Sequence, residues 1–261
     1  MAMKAKATVF LFLCFLRLNT SLFRKHYYMK ENMTWPNAQQ YCRKNHDDLS
    51  TTSSVELDRL SANPKVVSDF YWIGLQRDAQ SPTLWRWSGG ENATNIMWDA
   101  GQPDSLHEKC VAVLKSNSKV HDSPCFLSIP FYCMEDFELI LVQQENMWEE
   151  ALEYCRQKYV DLAGLNSGVI MAVAKDKSTP ALTDDVWIGL RFIAGYWFWV
   201  NGKNVVYKAW SEEDEPQCPA MNQRCGVYDR KKALWKPADC EQRLNFLCIK
   251  KSKSTPNESS N

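Results

Sequence analysis

The chain lacks any apolar run long enough to cross a bilayer: the longest, about Ala7 to Leu16, falls well short of the ~20 residues a membrane-spanning helix needs. It also lacks an excess of either charge, with 31 Lys and Arg against 31 Asp and Glu, so the balance suggests neither a basic nucleic-acid face nor a polyacidic tail. Histidine is scarce, at four residues (His26, His46, His107 and His121), and no G-x-S-x-G, P-loop or H-E-x-x-H pattern occurs. Neither half holds a C-x-x-C pair or close histidine partners for one, which speaks against structural zinc. The absences leave no enzyme motif, no nucleic-acid partner and no membrane span.

Cysteine is what the chain has, ten in all. Residues 1–21 carry Lys4 and Lys6, then the apolar run, then small polar residues, and read as a secretory signal peptide with Cys14 inside it. The mature chain is therefore expected to be secreted and extracellular, with the polar segment 251–261 a disordered tail. The remaining cysteines are Cys42, Cys110, Cys125 and Cys133, then Cys155, Cys218, Cys225, Cys240 and Cys248. Spacings from Cys42 run 68, 15 and 8; from Cys155 to Cys225, Cys240 and Cys248 they run 70, 15 and 8. This is an internal duplication. Other residues keep the same register: YCRKNHDDL with YCRQKYVDL, WIGL at Trp72 with WIGL at Trp187, and WRWSGG with WFWVNG. In a secreted chain such cysteines form disulfides, and a bridge closing a ~15-residue loop contributes about 3 kcal/mol by the chain-entropy account. Four cysteines allow three pairings, and spacing alone does not choose among them.

Both halves follow the same plan. HYYMK and ELILVQ read as opening strands; a polar residue, Thr34 or Asn146, then introduces a helix carrying the first cysteine. A second short helix is expected near SVELDRLSA and SGVIMAVAKD. FYWIGL and VWIGL are buried strands that lead into a long loop, and CVAVLK, CGVYDR, FYC and NFLCI are closing strands. The fold class is α+β with antiparallel strands, the two halves meeting near Asp136.

The order of these features, a helix with Cys, WIGL, a Trp near a QPD or EP loop, then Cys, Cys and Cys, resembles the C-type lectin-like domain, twice over, in the manner of soluble relatives of the macrophage mannose receptor. The resemblance implies two tandem domains, 24–134 and 137–250, each with two helices, antiparallel strands, a long loop and two disulfides. It implies the pairings Cys42–Cys133, Cys110–Cys125, Cys155–Cys248 and Cys225–Cys240. It makes Trp72, Trp87, Trp187 and Trp199 core packing.

The resemblance also implies a Ca²⁺ site in the long loop, where hard oxygen ligands hold the ion and two vicinal hydroxyls of a sugar complete its shell. Carried over residue by residue, the first half supplies Gln102, Asp104, Glu108 and Asp122, with Pro103 expected in cis so that its neighbours face the ion. The Gln-Pro-Asp order implies galactose-type sugars. The sequence departs from the pattern at His121, where an amide is expected, and in the short run Ser105, Leu106 and His107, where a longer loop with an aromatic residue is usual. His121 raises an alternative, a mixed nitrogen and oxygen cluster with Asp104, Glu108, Asp122 and His107 that would suit Zn²⁺ or Mn²⁺.

In the second half Glu215 and Pro216 remain, but Gln217, Gln223, Lys236 and Pro237 replace the other ligands, so no calcium is expected there; the Lys236 ammonium is expected in the cation's space. The acidic run from Glu212 to Pro216 reads as a solvated loop. Cys218 is left over after four bridges, either a free thiol or the link in a disulfide-joined homodimer. Asn32, Asn92 and Asn257 open N-x-S/T sequons and are expected to carry glycans. The sequence thus reads as a secreted carbohydrate-binding C-type lectin that engages glycans or glycoproteins through its first domain; the rival is a calcium-independent protein binder in both domains.

Overall fold

The computed structural model describes residues 22–211 and 215–252. The expected signal peptide, Glu212 to Asp214 and the Asn257 sequon lie outside these. The described residues divide into two compact units, Arg24–Phe137 with Lys251 and Ser252, and Glu138–Lys250 with Leu22 and Phe23.

The first unit opens with β1 (Leu22–Met33), α1 (Trp35–Asn45), β2 (Asp48–Leu49) and α2 (Ser54–Ser61). Pro36 sits in the first turn of α1, where its missing N–H costs nothing, and Thr34 holds the N-cap position without a side-chain bond. Trp35, Ala38 and Cys42 form the buried stripe of α1 at helical spacing. Ser53 and Glu56 cap α2 reciprocally: the Ser53 hydroxyl accepts from the Glu56 N–H, and Glu56 Oε2 accepts from the Ser53 N–H at 2.8 Å.

The unit continues through β3 (Phe70–Arg77), β4 (Trp85–Trp87), the long loop, β5 (Cys110–Leu114), β6 (Lys119–Ser123) and β7 (Ile129–Asn146). The sheet order is β6-β5-β3-β7, with β4 on β3 and β2 on β7. All pairings of β2 to β6 are antiparallel except that of β3 with β7, where Trp72 meets Phe131 in parallel. The antiparallel plan read from sequence therefore needs one correction. Parallel neighbours require a long crossover, and the long loop with its hairpin supplies it.

Alternation along β3 explains why FYWIGL is apolar throughout. Tyr71, Ile73 and Leu75 pack with Val111, Val113 and Tyr132 on one face, while Trp72 packs with Trp35, Ala112 and Phe131 on the other. A Cβ at Gly74 would lie 2.8 Å from the Leu49 carbonyl oxygen, and one at Gly189 2.7 Å from that of Leu162, so the glycine of both WIGL segments is required by close approach of the backbone.

The second unit repeats the plan. The later part of β7 leads to α3 (Trp148–Lys158), β8 (Asp161–Leu162), α4 (Gly168–Ser178), β9 (Asp185–Ile193), β10 (Tyr196–Trp199), β11 (Cys225–Asp229), β12 (Leu234–Ala238) and β13 (Leu244–Lys251). The order is β12-β11-β9-β13, again with one parallel pair, β9 and β13. Met147, not Asn146, holds the N-cap position of α3; the Asn146 carbonyl instead accepts the indole N–H of Trp187 at 2.8 Å, and Glu150 closes on the Met147 N–H at 3.1 Å. Trp72, Trp187 and Trp199 are fully buried, while Trp87 is half-buried against the first core. Two residues of the expected tail are among those described, and they are structured: Lys251 ends β13 with its ammonium 2.8 Å from Glu135, and the Ser252 N–H donates to the Asp136 carbonyl at 2.8 Å.

Four disulfides join Cys42 to Cys133, Cys110 to Cys125, Cys155 to Cys248 and Cys225 to Cys240. In each unit one bridge ties the first helix to the last strand and the other ties the β5–β6 or β11–β12 hairpin to the segment that follows it. Cys218 is exposed and unpaired.

Candidate functional site

The first unit gathers three carboxylates. Asp104, Glu108 and Asp122 each present an oxygen within 4.8 Å of the others. The turn that delivers them starts at Asp99, whose carboxylate accepts from the Ala100 N–H at 2.9 Å while its carbonyl accepts from the Gln102 N–H at 3.0 Å. Gly101 takes a left-handed φ of 84°, and the Gln102–Pro103 peptide is cis. Gln102 Nε2 donates to Asp104 at 3.1 Å, while Gln102 Oε1 is shut off from solvent without a hydrogen-bond partner.

Asp122 is the anchor. It lies on β6 opposite Val111, with its side chain wholly withdrawn from solvent. Its carboxylate accepts from the backbone N–H groups of Asp104 at 3.1 Å and Ser105 at 3.2 Å, and from the Arg77 guanidinium at 3.1 Å. Arg77 closes β3 and is a hub of the loop. It donates to the carbonyls of Ser105 at 2.9 Å, Glu108 at 3.2 Å and Pro82 at 2.8 Å, and its guanidinium lies 4.3 Å over the Trp85 ring. Burial, with Asp122 and Asp104 close by, holds the Glu108 carboxyl above its usual range.

The structure leaves His121 out of this cluster. Successive side chains on a strand tend to face opposite ways, and here Asp122 turns inward while His121 turns outward. His121 Nε2 lies 2.9 Å from Asp99 Oδ2, with the ring edge-on to Phe70 at 5.4 Å. His107 is exposed and also stands apart from the three carboxylates. The alternative raised by His121, a mixed cluster for Zn²⁺ or Mn²⁺, is therefore not what the structure brings together. What remains is an all-oxygen set, three carboxylates and an unpartnered amide oxygen, and that chemistry fits a hard divalent cation.

The second unit has no equivalent among its described residues. Glu215 is paired with Lys208 at 3.0 Å, and the Pro216 carbonyl accepts the Trp197 indole N–H at 2.8 Å. Lys236 does not enter the cation's space. It occupies the register of His121, turns outward for the same reason, and pairs with Asp185 at 2.9 Å and Asp229 at 3.4 Å. Aligning the two WIGL segments and the two 15-residue cysteine spacings places Phe192 at the position of Arg77 and Pro237 at that of Asp122. Phe192 packs on Trp197 at 5.4 Å, just as Arg77 lies on Trp85. Both members of the buried charge pair are thus exchanged together for apolar residues. Arg77 and Asp99 are the site residues that motif matching misses, and the register comparison between halves is the signal that would have found Arg77.

Of the sequons, Asn32 lies exposed on β1 and Asn92 lies exposed opposite Arg86 in the turn after β4. No helix among the described residues is long and apolar enough to cross a membrane.

The chain matches the family profile described as the lectin C-type domain over residues 31–135 and 144–250. Human lymphocyte antigen 75 is 24% identical over 87% of this chain and 15% of its own length, and human C-type mannose receptor 2 is 25% identical over 74% of this chain and 16% of its own. The chain therefore spans only about a sixth of these relatives. Among solved structures, human lithostathine is 26% identical over 42% of this chain and 82% of its own, with a TM-score of 0.39.

Proposed function

The chain belongs to the C-type lectin domain family, with one copy of the domain in each half, and from that premise we propose that the first domain binds carbohydrate through a calcium ion while the second does not. The observation that carries the reading is the convergence of Asp104, Glu108 and Asp122 within 4.8 Å beside the orphaned oxygen of Gln102. These four residues would hold the ion, which when bound supplies coordination positions for two vicinal hydroxyls of a sugar. The chain's own part is to accept hydroxyl protons at Asp104 and Glu108 and to donate from Gln102 Nε2. Leu106, 70% exposed on the same loop, offers an apolar contact. The Gln-Pro-Asp order favours galactose-type sugars.

Only four side chains serve the ion, and Asp122 shares its charge with Arg77, so the site is weak and gains from multivalency. The exposed Cys218 thiol supports a disulfide-linked dimer that brings two first domains together. We take the protein to be secreted and to carry glycans at Asn32, Asn92 and Asn257. For the second domain the ion pair of Lys208 with Glu215 and the loss of Asp122 to Pro237 favour recognition of a protein partner without calcium. Binding of the full chain to immobilised galactosides, with and without chelator, tests the reading: chelator-sensitive retention supports it, and chelator-indifferent binding confined to proteins contradicts it.

A further inference from the structure

We infer that Arg77 is the positioning residue that holds the metal-ligand loop of the first domain in its binding shape when no metal is present. The inference rests on the proposed cation site and concerns how that site is kept assembled.

A loop that brings three carboxylates within 4.8 Å of one another concentrates negative charge, and without a counter-charge its members repel. Arg77 supplies that charge from inside the fold, with its side chain only 7% exposed. Its donors are distributed, not spent on one partner: Pro82 in the turn between β3 and β4, Ser105 and Glu108 within the ligand run, and Asp122 on β6. The Arg77 backbone N–H adds a bond to the Lys109 carbonyl at 2.8 Å. A planar guanidinium can make these bonds in several directions at once, which an ammonium cannot. Asp122, fixed by this contact, in turn accepts the N–H groups of Asp104 and Ser105, so the ligand residue Asp104 is positioned through Asp122.

The duplication supplies an internal control. Where the ligands are gone, in the second unit, Phe192 and Pro237 replace Arg77 and Asp122 together, while the underlying Trp is kept as Trp197. The arginine is present where Asp122 carries a buried charge into the ligand loop, and absent where that carboxylate is gone. The consequence is functional: the ligand surface stays formed at low calcium, and the ion adds to a loop already in place.

The test is hydrogen exchange on the full chain, in chelator and in millimolar calcium, read on peptides covering 99–109. The wild-type loop is expected to exchange equally slowly in both conditions. Arg77→Met is expected to exchange about tenfold faster or more in chelator, with β9 to β13 of the second unit unchanged. Calcium should restore its protection, a response that a purely structural lesion would not show. Should Arg77→Met fail to fold, Arg77→Lys keeps the charge without the fork and is expected to fall between the two. A wild-type loop that is unprotected in chelator overturns the inference, as does an Arg77→Met loop as protected as wild type. Wild-type protection in chelator combined with a flat calcium titration supports the inference and overturns the calcium reading instead.

Discussion

The Arg77 guanidinium and the Asp122 carboxylate meet at 3.1 Å with both side chains withdrawn from solvent, and the second unit holds Phe192 and Pro237 at the same two positions. Removing one partner of a buried ion pair strands the other, at a cost of about 3–5 kcal/mol, whereas replacing both by apolar groups costs far less. Asp122→Ala should therefore destabilise the first domain by about that amount. The double variant Arg77→Met with Asp122→Leu should lose less than the sum of the single changes, a coupling that denaturant unfolding of the full chain would measure.

His121 faces Asp99 at 2.9 Å, away from the three carboxylates. His121→Asn, which would restore the amide expected at that position, should leave the calcium isotherm of the full chain unchanged. Glu108→Gln should abolish it. An isotherm that tightens in the His121 variant would show that this side chain turns inward.

Much of this architecture was legible in the cysteine spacings, the two WIGL segments and the QPD run, because each is a local signal repeated twice. The facing of His121 and Lys236 was not. It depends on the alternation of β6 and β12, set in each unit by the neighbouring strand and by a loop segment: Val120 exchanges backbone bonds with Met97 and Asp99, and Trp235 with Ala209 and Ser211. Arg77 was also hidden, since an arginine at the end of a strand looks like a surface residue until the loop folds over it. The cap of α3 fell one residue beyond the expected Asn146 because that carbonyl is used by Trp187.

In the second unit, Lys236→Asn should fail to create calcium binding, because Lys236 pairs with Asp185 and Asp229 and Pro237 offers no carboxylate. Calorimetry on a full chain whose first site is disabled by Glu108→Gln would check this, with heat on calcium addition as the contrary outcome.

Glu56 caps α2 and lies 3.6 Å from His26 Nε2. The His26 ring, outweighing burial and helped by the Ser53 N–H and hydroxyl, holds the Glu56 carboxyl down to about 2 from its ordinary 4.5. A depressed carboxylate pKa stabilises the fold above the unfolded value and loses that effect as pH falls through the folded one. Thermal stability of the first domain should thus decline between about pH 4.5 and pH 2, and Glu56→Gln should flatten that decline.

Cys218→Ser should convert a dimer on non-reducing electrophoresis of secreted protein to a monomer, since Cys218 is the unpaired cysteine among the described residues. A dimer band that persists in the variant would place the link elsewhere.

The central claim, that Asp104, Glu108 and Asp122 form a calcium site that engages sugar, is tested most directly by calorimetric calcium titration of the full chain with and without free galactose. The account predicts weak one-site binding, tightened by galactose and lost in Asp104→Asn. No heat in the wild type, or binding untouched by Asp104→Asn, would contradict it.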